Sequence, residues 1–181
     1  MRSIRHEIEK SQGAILETLA VCEDRIGATY EAFAGIFPQF AEFWSKLANE
    51  ERRHAQMLKN LRIFLAHGHL FRNIGRFSPE RIQALQMLLD EIHQTLATGK
   101  MTASEAFAAA MKLECSLVDG RFYNEVSSDA PEYATVAKAM LNETNEHIAR
   151  IHQRSRDDIK AHPENPFTKM SEEAAALELG H

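Results

Sequence analysis

The stretch Leu47-Ala48-Asn49-Glu50-Glu51-Arg52-Arg53-His54-Ala55 decides how the rest of the chain is read. It lies in the middle of a long amphipathic run whose apolar stripe is Phe40, Trp44, Leu47, Leu58 and Leu65. On a helix of about 3.6 residues per turn, Glu51 and His54 fall about 60° apart and straddle that stripe. A carboxylate and an imidazole therefore point where leucine is expected. An ionised carboxylate left alone in an apolar interior is costly, so Glu51 needs a cation, a proton or a hydrogen-bond donor.

The 181 residues are 44% hydrophobic and 26% charged, enough for one well-filled domain. Eight glycines and five prolines, set against abundant Ala, Leu, Glu, Gln, Met and Arg, favour helix almost throughout, and no stretch reads as a strand. The net charge of −5 is spread along the chain, leaving no basic face for nucleic acid. No apolar run approaches the ~18 residues of a membrane span. The start, Met1-Arg2-Ser3-Ile4-Arg5-His6-Glu7, lacks the apolar core of a signal peptide. A cytoplasmic protein without membrane partners is expected. Cys22 and Cys115 are too few for a disulfide framework or a four-thiolate metal site and read as free thiols.

Working outward, a first helix is predicted from about Ser3 to Phe37, stopped by Pro38, with Glu23 in the centre of a stripe of Ile8, Ile15, Leu19, Ile26, Tyr30, Phe33 and Phe37. The helix carrying the opening motif is predicted from Gln39 to His67, ending at Gly68. Residues 69–77 read as a connection. Ser78-Pro79-Glu80 then reads as a cap that opens a shorter helix through Ile82, Leu85, Leu88, Leu89, Ile92 and Leu96, ended by Gly99. Thr102-Ala103-Ser104-Glu105 is a capping box for a helix running to about Val126, with Glu114 among Ala106, Ala110, Leu113, Leu117 and Val118. After a turn at residues 127–131, the last long helix runs from about Glu132 to Ala161. Its stripe of Tyr133, Val136, Ala137, Met140, Ile148 and Ile151 includes Thr144 and His147, with Glu143 at the edge and Glu146 outward. Residues 163–181 read as a loose or partner-docked tail following a helical domain over residues 1–162. The scattered Met57, Met87, Met101, Met111 and Met140 read as core filler, and Arg52 and Arg53 as a solvated face.

The two halves repeat each other. Glu23 precedes His54 by 31 positions, and Glu114 precedes His147 by 33. Laying residues 47–54 over Met140-Leu141-Asn142-Glu143-Thr144-Asn145-Glu146-His147 matches Asn-Glu and His and sets Thr144 opposite Glu51. A helical hairpin used twice, joined by a crossover that holds the shorter helix, predicts an all-α, four-helix bundle with an additional helix. Main helices of roughly 30 residues would be about 45 Å long. Inward carboxylates and histidines from four helices would meet at mid-height, the pattern of ferritin-like di-iron and di-manganese proteins.

Glu23 with Tyr30 seven residues on, Glu51-x-x-His54, Glu114 and a second Glu/His segment together resemble the rubrerythrin branch of the ferritin-like superfamily, over about residues 8–155. The resemblance implies a carboxylate-bridged pair of metal ions, iron first and manganese or zinc as alternatives, acting on peroxide, dioxygen or ferrous iron. Its ligands would be Glu23, Glu51, His54, Glu114, Glu143 and His147, with Glu51 bridging and Glu143 the candidate second bridge. A homodimer is expected. So is an external electron donor such as a rubredoxin-type protein, since two cysteines cannot supply the four-thiolate iron site of rubrerythrins proper.

The departures define the alternative. Thr144 stands three residues before His147 where a glutamate is expected, and Leu117 occupies the place of a further third-helix glutamate. A ferritin-like scaffold with a degenerate or single-metal site, acting by metal binding or association, is the second reading. Glu143 can lean inward from the stripe edge or remain a solvated acid, and the buried glutamates can instead be paired with an arginine such as Arg121. Tyr30 and Tyr123 read as core rather than redox-active residues.

Overall fold

The computed structural model describes residues 2–67, 79–119 and 131–161, and each structural statement below concerns these. The described residues are all-helical: α1 (Arg2–Ile36), a 3-10 turn (Pro38–Phe40), α2 (Ala41–Ala66), α3 (Pro79–Ala97), α4 (Ala103–Asp119) and α5 (Pro131–Ala161). The predicted cap at Ser78, the connection 69–77, the end of α4 with Arg121 and Tyr123, the turn 127–130 and the segment 163–181 lie outside the described residues.

The local signals act where expected. Pro38 ends α1 and opens the 3-10 turn, so α2 begins at Ala41, two residues later than the sequence suggests. Gly99, at φ +66°, terminates the α3 segment in the left-handed region. The capping box closes both ways: Thr102 N–H donates to Glu105 Oε2 at 2.8 Å, and Glu105 N–H to Thr102 Oγ1 at 3.3 Å.

Packing follows the stripes. α1 and α2 run antiparallel, since ion pairs join Arg52 to Glu31, Lys59 to Asp24 at 2.6 Å and Arg62 to Glu17, with numbers rising on one helix as they fall on the other. α4 packs on α5, α2 on α5 and α1 on α4, so α1, α2, α4 and α5 touch in a closed ring. α3 lies outside the ring against α1 and α4, parallel to α1: Arg25 meets Asp90 at 2.5 Å and Thr29 Oγ1 meets His93 Nε2 at 2.9 Å. Ile82, Leu85, Leu89 and Ile92 are its buried face. Met87 is 56% exposed, correcting its reading as core filler, because it projects some 200° from Leu85 around α3. No described helix is long and apolar enough to cross a membrane.

Beside the α1–α2 turn, the core is aromatic. The Trp44 ring lies 5.6 Å from Tyr30, 5.1 Å from Phe33, 4.9 Å from Phe43 and 4.8 Å from Phe107. These planar groups bury large areas and resist sliding, which fixes α1, α2 and α4 relative to one another. Arg154 of α5 caps the cluster from over the Phe40 ring, 4.9 Å from its centroid.

Gly27 sets the closest α1–α2 approach: a Cβ there would lie 3.1 Å from the Ala48 carbonyl oxygen and 3.4 Å from Glu51 Cβ. A Cβ built on Gly35 would meet nothing within 4 Å beyond its own helix. Gly35→Ala is therefore expected to stabilise the protein by up to about 0.5–1 kcal/mol through helix propensity. Gly27→Ala should fall short of that gain, because the facing atom is backbone and cannot rotate away. Thermal melts of the two variants decide it; equal gains would mean that the helices part at Gly27 without cost.

Candidate metal centre

Five ionisable side chains meet inside the ring, from all four of its helices: Glu23 of α1, Glu51 and His54 of α2, Glu114 of α4 and His147 of α5, none more than 1% exposed. Each stands on the apolar stripe of its helix, so the packing that buries Leu19, Leu47, Leu113 and Met140 buries these groups with them. They form two groups, Glu23–Glu51–His54 and Glu51–Glu114–His147, whose ligand atoms lie within 4.8 Å of one another. Glu51 belongs to both.

The contacts are asymmetric in detail. His54 Nδ1 is 3.1 Å from Glu51 Oε2. His147 Nδ1 is 2.7 Å from Glu51 Oε1 and 3.3 Å from Glu114 Oε1, and only the longer contact has hydrogen-bond direction. Glu51 Oε1 thus has an imidazole nitrogen against it without an aimed proton. Ligand atoms each about 2 Å from one divalent ion and roughly at right angles lie about 3 Å apart, so these separations suit a shared cation. Glu114 Oε2 also has no hydrogen-bond donor, while Oε1 accepts from the Tyr30 hydroxyl at 2.7 Å. The two imidazoles stack, centroids 5.5 Å apart and planes 19° apart.

Burial and mutual repulsion set the charges in the absence of a cation. Burial, then the charge and hydrogen bond of Glu51, hold the Glu23 carboxyl well above its ordinary range, and Glu114 is raised by burial and by Glu51. Burial alone would raise Glu51 too, but the imidazoles of His147 and His54 outweigh it and hold Glu51 below the usual carboxylate range. Burial opposes the imidazolium at His147, yet Glu114 and Glu51 outweigh it and push the pKa up to about 10; His54 is raised by Glu51 and Glu143 against the same opposition. Protons thus occupy the place that a cation can take, on residue types that bind iron, manganese or zinc.

Of the six residues singled out from the sequence, five converge. Glu143 sits on the far side of His54, its Oε2 2.9 Å from Nε2, half-buried and ion-paired to Arg53, and is not among the two gathered groups. Arg53 is therefore not merely solvated. Thr144 is buried as predicted, but its hydroxyl donates to the Met140 carbonyl of its own helix at 2.9 Å. Glu146 is exposed. Helical phase does not mark Glu50, whose Oε2 is 3.3 Å from His147 Nε2 and which Arg150 holds at 2.5 Å. A signal was present: Asn49-Glu50 and Asn142-Glu143 are equivalent in the internal repeat. Tyr30 is core, as read, but its hydroxyl also reaches the site. Cys22 is buried and Cys115 half-buried, and neither is in a disulfide.

Compared with known proteins, the chain matches no family model, no curated protein and no solved structure.

The His147 contribution to stability without metal follows from its raised pKa: it is complete below pH 6.5 and is lost as pH rises through about 10. Glu23 acts in the same direction, its contribution fading as pH rises above 4.5. The Tm of chelator-treated protein is expected to fall steadily between pH 7 and pH 10, and His147→Gln to flatten that fall. An unchanged slope in the variant would show that His147 is not the group being titrated.

Proposed function

We propose that this chain is a non-haem di-metal oxidoreductase of the rubrerythrin-like kind, binding two ions, iron first, and reducing peroxide or dioxygen or oxidising ferrous iron. The observation that carries this reading is the pair of buried carboxylate–histidine groups hinged on Glu51. Three acids and two imidazoles far from water are expensive to bury, and a pair of divalent cations is the partner that offsets the cost for all five at once. Glu23 and His54 would hold one ion, Glu114 and His147 the other, and Glu51 would span both. When bound, the metal pair would supply the electron transfer that these side chains cannot provide themselves.

The chain's own residues prepare the site. The Tyr30 hydroxyl occupies one oxygen of Glu114 and leaves the other free of donors. The imidazoles keep Glu51 ionised, so the shared carboxylate needs no deprotonation when a cation arrives. The raised Glu23 and His147 exchange protons for metal, which ties uptake to pH. The aromatic cluster around Trp44, one turn or more from Glu51, excludes water from that side.

A ferritin-like arrangement belongs to the same proposal. Its support is the closed ring of antiparallel and hairpin-joined helices with α3 outside, between the two hairpins in chain order. So do a homodimeric state and an external electron donor of rubredoxin type. Thr144, tied to its own helix, favours a second reading: a scaffold whose site is reduced to one ion and which works by metal binding or association.

Titrated anaerobically with ferrous iron, the protein should take up two ions per chain and, after peroxide, develop the absorption of a coupled ferric pair. Glu51→Ala should lose both ions and the absorption together. Clearly fewer than two ions per chain, unaffected by Glu51→Ala, would sink the di-metal reading and favour the second.

A further inference from the structure

The groups that link the buried centre to water lie on the α2–α5 seam, and they are arranged in a reciprocal pair. Glu50 of α2 reaches His147 of α5, its Oε2 3.3 Å from Nε2; Glu143 of α5 reaches His54 of α2, its Oε2 2.9 Å from Nε2. Each acid stands four positions before the histidine on its own helix and contacts the histidine of the other. The antiparallel crossing of α2 and α5 sets the two contacts on either side of a local two-fold axis that passes between the stacked rings; Glu143 and His54 meet with hydrogen-bond geometry, Glu50 and His147 as an ion pair. Both carboxylates are partly wetted, with side chains 17% and 29% exposed, whereas the two rings are essentially dry. Each acid is itself anchored: Arg150 grips Glu50 through two nitrogens, at 2.5 and 3.4 Å, and Arg53 holds Glu143.

On both rings, then, Nε2 faces an outer carboxylate and Nδ1 faces Glu51. A neutral imidazole has one N–H and one lone pair, and the acceptor placed at one nitrogen decides which is which. Histidines that bind metal ordinarily donate their remote N–H to such a carboxylate, which fixes the ring and raises its basicity.

We propose that Glu50 and Glu143 are positioning residues that hold the proton of His147 and of His54 on Nε2, so that both Nδ1 lone pairs point at the shared Glu51 site. The assignment rests on the di-metal reading and gives Glu143 a role outside the ligand set. The guanidinium groups aim each carboxylate. They come from unrelated positions of the repeat, Arg53 just before His54 and Arg150 three residues after His147. The carboxylate–imidazole contact, not the arginine, is the element that both halves share.

Zinc serves as a diamagnetic probe. Nitrogen-15 NMR of the zinc-loaded full chain is expected to show both imidazoles protonated at Nε2 and bound through Nδ1. Glu143→Ala should weaken one ion by about 10- to 100-fold in competition with a chromophoric chelator, with two ions still bound at saturation and the His54 Nε2–H signal broadened. Glu143→Gln, whose amide oxygen still accepts that proton, should restore most of the loss. Glu50→Ala and Glu50→Gln should do the same for the His147 ion. Binding of either ring through Nε2 in the unmodified protein overturns the proposal without any variant. Unchanged affinity in both alanine variants overturns it as well. Loss of one ion in both the alanine and glutamine variants makes the acid a ligand rather than a positioning residue. An unmodified protein that takes up no zinc or iron overturns the di-metal reading itself, and the proposal falls with it.

Discussion

Glu51 is completely buried, shared by two groups of acids and imidazoles, and kept ionised by the two histidines beside it. Much of the architecture answers the problem that this one carboxylate poses. Burial, and then its charge, make Glu23 and Glu114 hard to ionise, while it joins Glu114 in drawing positive charge onto His147 and Glu143 in drawing it onto His54. The other four buried groups are thereby coupled to Glu51, and replacing it with an apolar residue would strand its neighbours. A polar network of this kind is tolerable in a core only when its geometry is held firmly.

The means of holding it lie in the packing around it. Gly27 lets α2 come against α1 beside Glu51, and the Trp44 cluster locks α1, α2 and α4 together at one end. Tyr30 joins the two regions, with its ring against Trp44 and its hydroxyl on Glu114. On the surface, the ion pairs of Arg52, Lys59 and Arg62 across the α1–α2 face are partly solvated and add little stability individually. They fit the antiparallel register that the apolar stripes already impose.

The internal repeat is visible in the site as a local two-fold relation between α2 and α5, and Thr144 breaks it. Where α2 offers Glu51, α5 offers a hydroxyl satisfied by its own backbone. The result is one central carboxylate instead of two, with His54 and His147 stacked across the axis and Glu50 and Glu143 behind them. The outer acids keep the symmetry that the inner pair has lost.

The sequence by itself determined the helices, their stops and the faces they bury, because these depend on neighbours three and four positions apart. The proline at 38, the capping box at 102–105, the left-handed glycine at 99 and the stripes through Leu19, Leu47 and Leu113 are local features. The same periodicity marked Glu23, Glu51, His54, Glu114 and His147 as inward, since a polar residue on an apolar stripe stands out without knowledge of its partner. Which atoms meet was decided only by the tertiary structure. Glu143 and Glu50 sit at stripe edges, where helical phase does not say whether a side chain leans in or out, and the α2–α5 crossing turned each toward the other helix's histidine. Tyr30 likewise found Glu114 across 84 residues of chain, a contact set by how α1 and α4 pack and by nothing in the local sequence of either.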